Sequence, residues 1–183
     1  MRKMNKTSER ETAIFLAREG LRLYLKKGEN LVPPEEMPPL FYTKRGAFVS
    51  IKTQGSQLKG CIGTLEPTQG NLALEIINNA ISAGTSDPRF EPVPPTELDQ
   101  LYFSVDIISP LEKISKRSYL NPSEYGIVVE KGFRRGVLLP DLEGIDTVNR
   151  QISIAAQKAG LSSQDEGITI YRFEVTRFAE TPK

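Results

Sequence analysis

The first part of the chain has the hydrophobic pattern of one amphipathic helix. Apolar side chains recur there at intervals of three or four residues, at Ile14, Ala17, Leu21 and Tyr24. This spacing places them on one helical face. Ahead of them, Ser8 and Glu11 have the capping-box spacing, in which a hydroxyl and a carboxylate each accept a free N–H at the helix start. Gly28 is a typical stop, so we predict a helix over residues 8–28.

The pattern behind this helix predicts the order strand, strand, helix, strand twice. Residues 46–109 form the first predicted repeat and residues 125–178 the second. The final run, ITIYRFEVTRF from Ile168, alternates apolar and polar side chains, as expected for a strand with one buried face. Because the hairpin connections are short, neighbouring strands should be mostly antiparallel. We therefore predict an α+β fold, one domain over residues 1–183, with two internally repeated β-β-α-β units.

The two predicted repeats differ in the connection between the helix and the final strand. In the second repeat this connection is LSSQDEG, whereas the first has TSDPRFEPVPPTELDQ, about twice as long. Long loops inside compact domains are often functional. The first repeat thus combines this loop, which contains Asp87, Arg89 and Phe90, with the run LKGCIGTLEP, which contains Cys61, the single cysteine of the chain.

Composition and charge exclude several kinds of chemistry. The 183-residue chain has 24 Lys and Arg against 23 Asp and Glu, a net charge of +1, which gives no electrostatic argument for binding nucleic acid or an anionic membrane. It has no histidine, so it cannot form a Ser-His-Asp or Cys-His pairing or a histidine metal site. A single cysteine suits a reducing cytoplasm. No stretch approaches the roughly 20 apolar residues of a membrane span, and we expect a cytoplasmic protein.

Four segments of the chain match the motifs of one known family in order. They are LKGCIGTLEP, SDPRFEPV, VDIISPLEKI and GVLLPDLEG. Together they resemble the AMMECR domain family, also called AmmeMemoRadiSam system protein A, whose motifs include (L)RGCIGT, DPRF-P and G-LLPQV. Lys59 stands where the family commonly has Arg, and Asp141 where it usually has glutamine. The resemblance spans roughly residues 11–180.

The resemblance implies a two-lobed fold around a continuous, partly barrel-like sheet with flanking helices, and places the signature motif near the junction of the lobes. It also implies association with a Memo-like protein related to extradiol dioxygenases and with a radical S-adenosylmethionine protein. In some relatives the domain is fused to the dioxygenase-like part, and a chain that starts at a capped helix also suits a domain cut from such a fusion. The resemblance implies no particular reaction. We assign no cofactor and no metal site.

Cys61 admits three interpretations. It is a small side chain where backbones crowd, a wall of a ligand cleft, or a catalytic nucleophile, and we favour them in that order because free cysteine is among the most often buried residue types. A thiol of pKa about 8.5 needs a nearby cation or base to react well at neutral pH. Lys59, two residues away on the same strand, should share the face of Cys61, and Arg89 is a second candidate cation.

The rest of the predicted binding cleft comes from the same two segments. Its residues are Lys59, Gly60, Ile62, Gly63, Thr64, Glu66, Asp87, Arg89 and Phe90. Gly60 and Gly63 indicate a bulge, or the close approach of a ligand or a packed helix. Asp87 before a proline suits a turn in which its carboxylate accepts local backbone N–H groups. The planar fork of Arg89 can bind a carboxylate or phosphate, or lock the loop to a carboxylate such as Glu66, which we slightly favour.

Two functions follow from these observations. The first is a small-molecule-binding or catalytic component that works with the Memo-like and radical S-adenosylmethionine proteins through this cleft. The second is a non-catalytic module for protein–protein interaction that docks on the same partners. Whether the protein is an enzyme stays open at this point. A nucleic-acid-binding role ranks third because the charge is balanced.

Overall fold

The computed structural model describes residues 8–181, and the other positions of the predicted domain, 1–7 and 182–183, lie outside it. The described chain divides into two compact units. Unit 1 consists of residues 8–108 and 176–181, and unit 2 of residues 109–175. No helix in the described part is both long and apolar enough to cross a bilayer.

Residues 8–181 form three α-helices and eight β-strands. The helices are α1 Glu9–Lys27, α2 Leu72–Thr85 and α3 Val148–Lys158. The strands are β1 Ala47–Lys52, β2 Leu58–Thr64, β3 Tyr102–Ile108, β4 Glu112–Lys113, β5 Gly126–Lys131, β6 Arg134–Leu138, β7 Thr169–Phe173 and β8 Val175–Ala179. Short 3₁₀ helices occupy Pro39–Tyr42, Leu98–Gln100 and Arg117–Tyr119.

The predicted N-terminal helix is confirmed with both of its caps. The Ser8 hydroxyl accepts the N–H of Glu11, and the Glu11 carboxylate accepts the N–H of Ser8 at 2.9 Å. At the other end Gly28 adopts a left-handed conformation, and its N–H bonds to the carbonyl of Tyr24 at 2.8 Å. These contacts satisfy backbone groups that have no partner within the helix.

Unit 1 contains one open four-stranded sheet in the order β2-β1-β3-β8. The central strand β1 pairs antiparallel with β2 and β3, and β2 is an edge strand. Fully buried side chains of β1, among them Val49 and Ile51, share a core with Leu16 and Leu21 of α1 and Ile76 of α2. The helices thus bury one face of the sheet, which leaves the edge strand β2 as the border of the unit.

Unit 2 contains a second open four-stranded sheet, in the order β4-β7-β5-β6. Its central strand β5 pairs antiparallel with β6 and β7. Ile127 and Val129 of β5 pack with Ile152 and Ala155 of α3 in a separate core. The edge strand β6 therefore has the same position relative to β5 as β2 has relative to β1.

The α+β class and the antiparallel pairing are confirmed. The strands divide between two open sheets, and the described residues form no closed barrel. Both sheets show the predicted order of elements, but an origin by duplication stays a prediction.

The single strand predicted from Ile168 is instead interrupted at Glu174. The Glu174 N–H donates to the Ser109 hydroxyl at 2.9 Å, and the Glu174 carbonyl accepts from the Ser109 N–H at 3.0 Å. At this residue the chain passes from the sheet of β7 to the sheet of β8.

Candidate functional site

The backbone of Cys61 is held by side chains from the long loop. Because β2 is an edge strand, alternate residues direct their N–H and C=O groups away from β1. At Cys61 the N–H donates to Asp87 Oδ2 at 2.8 Å, and the carbonyl accepts from Arg89 Nη2 at 3.0 Å. We call Cys61, Asp87 and Arg89 the edge clamp. Two side chains thus replace the neighbouring strand that the edge lacks.

The thiol of Cys61 lies against a hydroxyl on the neighbouring strand. Cys61 pairs with Ser50 of β1. Since Cys61 turns its backbone outward, this pair is of the non-hydrogen-bonded kind, in which opposite side chains lie closest. The Ser50 hydroxyl donates to Cys61 Sγ at 3.1 Å. The half-buried thiol therefore has a polar neighbour, and Arg89 binds the backbone carbonyl of the same residue.

Asp87 and Arg89 form a two-point ion pair inside the loop. Arg89 Nε donates to Asp87 Oδ1 at 3.0 Å and Nη2 donates to Oδ2 at 2.8 Å, while the Arg89 N–H also donates to Oδ1 at 3.1 Å. The Asp87 residue is only 4% exposed, whereas the Arg89 side chain is 59% exposed. One end of the pair is thus fixed in the protein and the other faces outward.

The ion pair shifts the protonation equilibria of both partners. Hydrogen bonds from the Arg89 side chain hold the pKa of the Asp87 carboxyl well below its usual range, and the Cys61 N–H adds to this effect. The Asp87 carboxylate in turn raises the pKa of the Arg89 guanidinium, with a smaller contribution from Cys61. The clamp therefore consists of a carboxylate and a cation at any pH near neutrality.

The loop that supplies the clamp is anchored on both sides of it. Its turn is closed by the Phe90 N–H, which donates to the Asp87 carbonyl at 3.1 Å, and the Val93 N–H donates to the Gly84 carbonyl at 2.8 Å. Val93 and Leu98 are buried in the core of unit 1. The Arg89 guanidinium also lies 5.3 Å from the centre of the Phe90 ring. These contacts give the clamp a fixed position.

Lys59 lies at a β-bulge beside the clamp. Ile51 pairs with Gly60 and Lys52 with Leu58, so Lys59 is the extra residue of β2. Its Nζ lies 3.6 Å from Glu97 Oε2. A cavity of about 530 Å³ runs along the segments 53–59 and 97–101; Lys59 and Glu97 line it, and none of the clamp residues does. The cation that contacts Cys61 is therefore Arg89.

Three other predicted residues face the helix instead of the clamp. A Cβ atom on Gly60 would lie 1.9 Å from the carbonyl oxygen of Ala83 in α2, so only glycine permits this approach. Ile62 packs against the core of unit 1, and the Thr64 hydroxyl donates to Glu75 of α2. Side chains alternate across a strand, and these three lie on the opposite face from Cys61. Gly63, against the Phe48 ring, lies on the face of Cys61.

Arg89 is paired with a carboxylate, but the partner is Asp87 and not Glu66, the example given above. Arg89 binds Asp87, two residues away in the same turn, at 2.8 Å, so the carboxylate that locks the loop is not Glu66. Glu66 lies exposed between β2 and α2. An ion pair between residues two positions apart fixes fewer residues than a contact across the unit, so it costs less conformational entropy. This explains why Arg89 pairs with Asp87.

A buried carboxylate that the sequence did not single out supports β2 from behind. Glu75 is 1% exposed, and its oxygens accept from the Thr64 hydroxyl, from the Thr68 N–H and hydroxyl at 2.8 and 2.9 Å, and from the Gln69 N–H at 2.8 Å. Asn79 completes the network, because its Nδ2 donates to Thr64 Oγ1 at 3.2 Å. The sequence signal for Glu75 was that it is the single charged residue of the mostly apolar helix α2.

The second feature that the sequence did not single out is an ion pair on the side of the sheet away from α2. Asp106 of β3 accepts from Arg177 of β8 in two places, each at 2.7 Å. Asp106 is buried, so a bidentate partner is needed to offset its desolvation. The alternation of apolar and polar residues in β3 was the sequence signal for Asp106, whereas its partner depends on the pairing of β3 with β8.

Comparison with known proteins identifies the family. The AMMECR1 family profile matches residues 14–178. The chain belongs to the AMMECR1 family. The matched residues include all of unit 2, most of unit 1 and the edge clamp.

Individual relatives of the AMMECR1 chain come from bacteria and archaea. A protein of Thermotoga maritima is 53% identical over 157 residues, which are 85% of this chain and 90% of the relative. A protein of Clostridium acetobutylicum is 45% identical over 97% of this chain, but this match spans only 38% of that longer relative. The crystal structure of the uncharacterized protein PH0010 from Pyrococcus horikoshii superposes with a TM-score of 0.82 at 32% identity, over 92% of this chain and 89% of that one.

Proposed function

We propose that this AMMECR1 chain is a small-molecule-binding or catalytic component whose site is the edge clamp, and that it works with a Memo-like and a radical S-adenosylmethionine protein. The motif resemblance supports the two partners. The geometry of Arg89 supports the site, because its guanidinium is fixed by Asp87 and by the Cys61 carbonyl while the side chain is 59% exposed. That single observation carries the proposal.

The clamp leaves one nitrogen of Arg89 available for a ligand. Nε and Nη2 donate to Asp87 and to the Cys61 carbonyl, whereas Nη1 has no hydrogen bond to the residues the structure describes. A guanidinium held on one edge has lost most of its conformational entropy before a ligand arrives. We therefore propose that Nη1 binds a carboxylate or phosphate group of the small molecule.

Cys61 lies where such a ligand would be contacted. Its backbone carbonyl binds the guanidinium at 3.0 Å, and its thiol accepts a hydrogen bond from the Ser50 hydroxyl at 3.1 Å. No histidine exists to act as its base. In our proposal Cys61 is a contact residue of the site, and a covalent role is an alternative that the experiment below separates from it. With one free thiol and no disulfide, we also propose a cytoplasmic location.

Native mass spectrometry tests the site directly. The protein is incubated with the products of the Memo-like and radical S-adenosylmethionine enzymes. We expect a non-covalent complex with the wild type and with Cys61→Ser, and its loss with Arg89→Gln. Lys59→Gln is the matched control, because it removes a neighbouring cation outside the clamp. Equal binding by Arg89→Gln and the wild type would rule out the proposed site.

The same samples distinguish the other possibilities. A mass increase that persists after denaturation in the wild type and is absent in Cys61→Ser would assign a covalent role to the cysteine. Co-purification with both proposed partners, without any small-molecule complex, would favour the non-catalytic interaction module. Absence of binding to either partner would remove the proposed association and leave the ligand site to be judged by Arg89→Gln alone.

A further inference from the structure

Unit 2 has a cavity of its own, far along the chain from the edge clamp. It is open to solvent and has a volume of about 400 Å³. It is lined by the segments 113–117 and 167–170, by Ser163 and Asp165, and by Ile152 of α3. Small-molecule sites typically have volumes of roughly 300–1,000 Å³. The cavity is therefore large enough for a ligand of several heavy atoms.

The charged residues of this cavity are mostly cations. Lys113, Lys116 and Arg117 line it, and Asp165 is the only acidic residue of the lining. Within residues 8–181 the side chains of Lys113 and Lys116 make no ion pair, and Arg117 Nη1 donates to the neutral Asn149 at 3.3 Å. A concave surface lined by one sign of charge concentrates the field and attracts ions of the opposite sign.

The remaining walls of the cavity add a different chemistry. Ile152 is only 1% exposed and belongs to the core of unit 2, and Ile114, Ile168 and Ile170 pack against the same core. Ser115, Ser163 and Thr169 contribute hydroxyl-bearing residues at the border. A pocket of this kind matches a ligand with an apolar body and a polar head, because each part meets its own type of surface.

We propose that this cavity binds a small organic anion that has an aliphatic body and a carboxylate or phosphate head. The head lies against Lys116 and Arg117, and the body lies against the isoleucine wall that surrounds Ile152. The inference does not depend on the edge clamp, since none of the cavity residues belongs to unit 1. It adds a second ligand site to the chain.

Titration of the isotope-labelled protein with hexyl phosphate and with hexanoate, followed by amide NMR shifts, tests this site. Hexanol lacks the charge and inorganic phosphate lacks the aliphatic body, so these are the two control probes. We expect saturable shifts within residues 113–117 and 163–170 for at least one of the two anions, at lower concentration than for either control. The tighter of the two anions identifies the head group. Shifts as strong with hexanol, or none in these segments, would overturn the proposal.

Variants of the lining then test the direction of the electrostatic effect. Lys116→Gln and Arg117→Gln should each weaken binding about two- to fivefold, as expected for partly solvated charge contacts. Asp165→Asn should tighten it about twofold, because it removes the opposing charge but keeps an oxygen to accept the Ser162 N–H. Arg150→Gln, which removes one positive charge from α3 outside the cavity, should leave binding unchanged. Weaker binding by Asp165→Asn, or an equal loss with Arg150→Gln, would contradict the site.

Discussion

The edge strands β2 and β6 differ in how the outward-facing backbone groups of equivalent residues are bound. Cys61 of β2 and Val137 of β6 each follow a glycine, and each pairs with the central strand of its own sheet. The Cys61 N–H donates to Asp87 at 2.8 Å, and the Cys61 carbonyl accepts from Arg89 at 3.0 Å. The Val137 carbonyl receives one ammonium, from Lys158 at 3.3 Å. The same edge position is thus held by a two-residue ion pair in one unit and by a single lysine in the other.

Other features of this position are the same in both units. A Cβ atom on Gly60 would meet the Ala83 carbonyl, and one on Gly136 the Ala155 carbonyl, each at 1.9 Å. The helices also share a carboxamide contact to the start of the central strand, from Asn79 to the Ala47 carbonyl at 2.9 Å and from Gln151 to the Tyr125 carbonyl at 2.7 Å. The glycine therefore serves the packing of helix on sheet, and the clamp is what distinguishes unit 1.

The largest expected effect tests the feature that the units share. Gly60→Ala and Gly136→Ala should each lower the free energy of unfolding by about 3 kcal/mol or more, because the added methyl group overlaps a helix carbonyl that cannot move alone. Urea unfolding measures the change. Gly55→Ala is the control, since the atom nearest to its Cβ is 4.0 Å away. If Gly136→Ala were as stable as the wild type, the glycines would not have a common role.

An intermediate effect tests the feature that differs. Asp87→Ala should lower the free energy of unfolding by about 1–3 kcal/mol, because it leaves the Cys61 N–H without its acceptor. Lys158→Ala, at the exposed counterpart, should change it by no more than about 0.5 kcal/mol. The double variant Asp87→Ala with Arg89→Ala should cost less than the sum of the two single variants, since the pair acts together. Strict additivity would argue against the clamp.

The smallest effect is a dependence of stability on pH. Arg89 lowers the folded-state pKa of Asp87. At pH values at which the unfolded chain begins to bind a proton at Asp87, the folded protein therefore still holds this carboxylate ionised. The stabilisation is complete above the usual Asp value of about 3.9 and is lost as pH falls toward the lower folded-state pKa. The stability advantage of wild type over Asp87→Asn should therefore be constant near pH 7 and shrink below about pH 4. Urea unfolding at pH 7, 5, 4 and 3 provides the comparison; an advantage that grows on acidification would have the wrong sign.

Local patterns predicted most of the secondary structure of both units. The capped α1 and the strand β1 follow from periodicity and turn residues within a few positions, because those signals act over short separations. Of the alternatives predicted for Gly60 and Gly63, a packed helix is correct for Gly60, whereas the bulge lies at the adjacent Lys59 and Gly63 packs against the Phe48 ring. The interruption at Glu174 was missed, since a continuous alternation does not show that a chain changes sheets.

The site depends on contacts that the sequence pattern does not contain. Asp87 was expected to accept local N–H groups, and it does so from Arg89, but its bond to Cys61 joins residues 26 positions apart. That bond exists only because the long loop returns to the edge of β2. The burial of Glu75 likewise depends on the path of the segment before α2, which supplies three of its four donors. Such contacts follow from tertiary structure.

The edge clamp also affects how copies of this chain meet. An edge strand with free N–H and C=O groups is a template on which a strand of another molecule can add, and such additions lead to aggregation. At Cys61 both groups are already occupied by charged side chains, one of them exposed and cationic. A foreign strand would have to displace the ion pair and bring its own backbone next to Arg89. At Cys61 the clamp therefore opposes the addition of a foreign strand while it holds the loop in place.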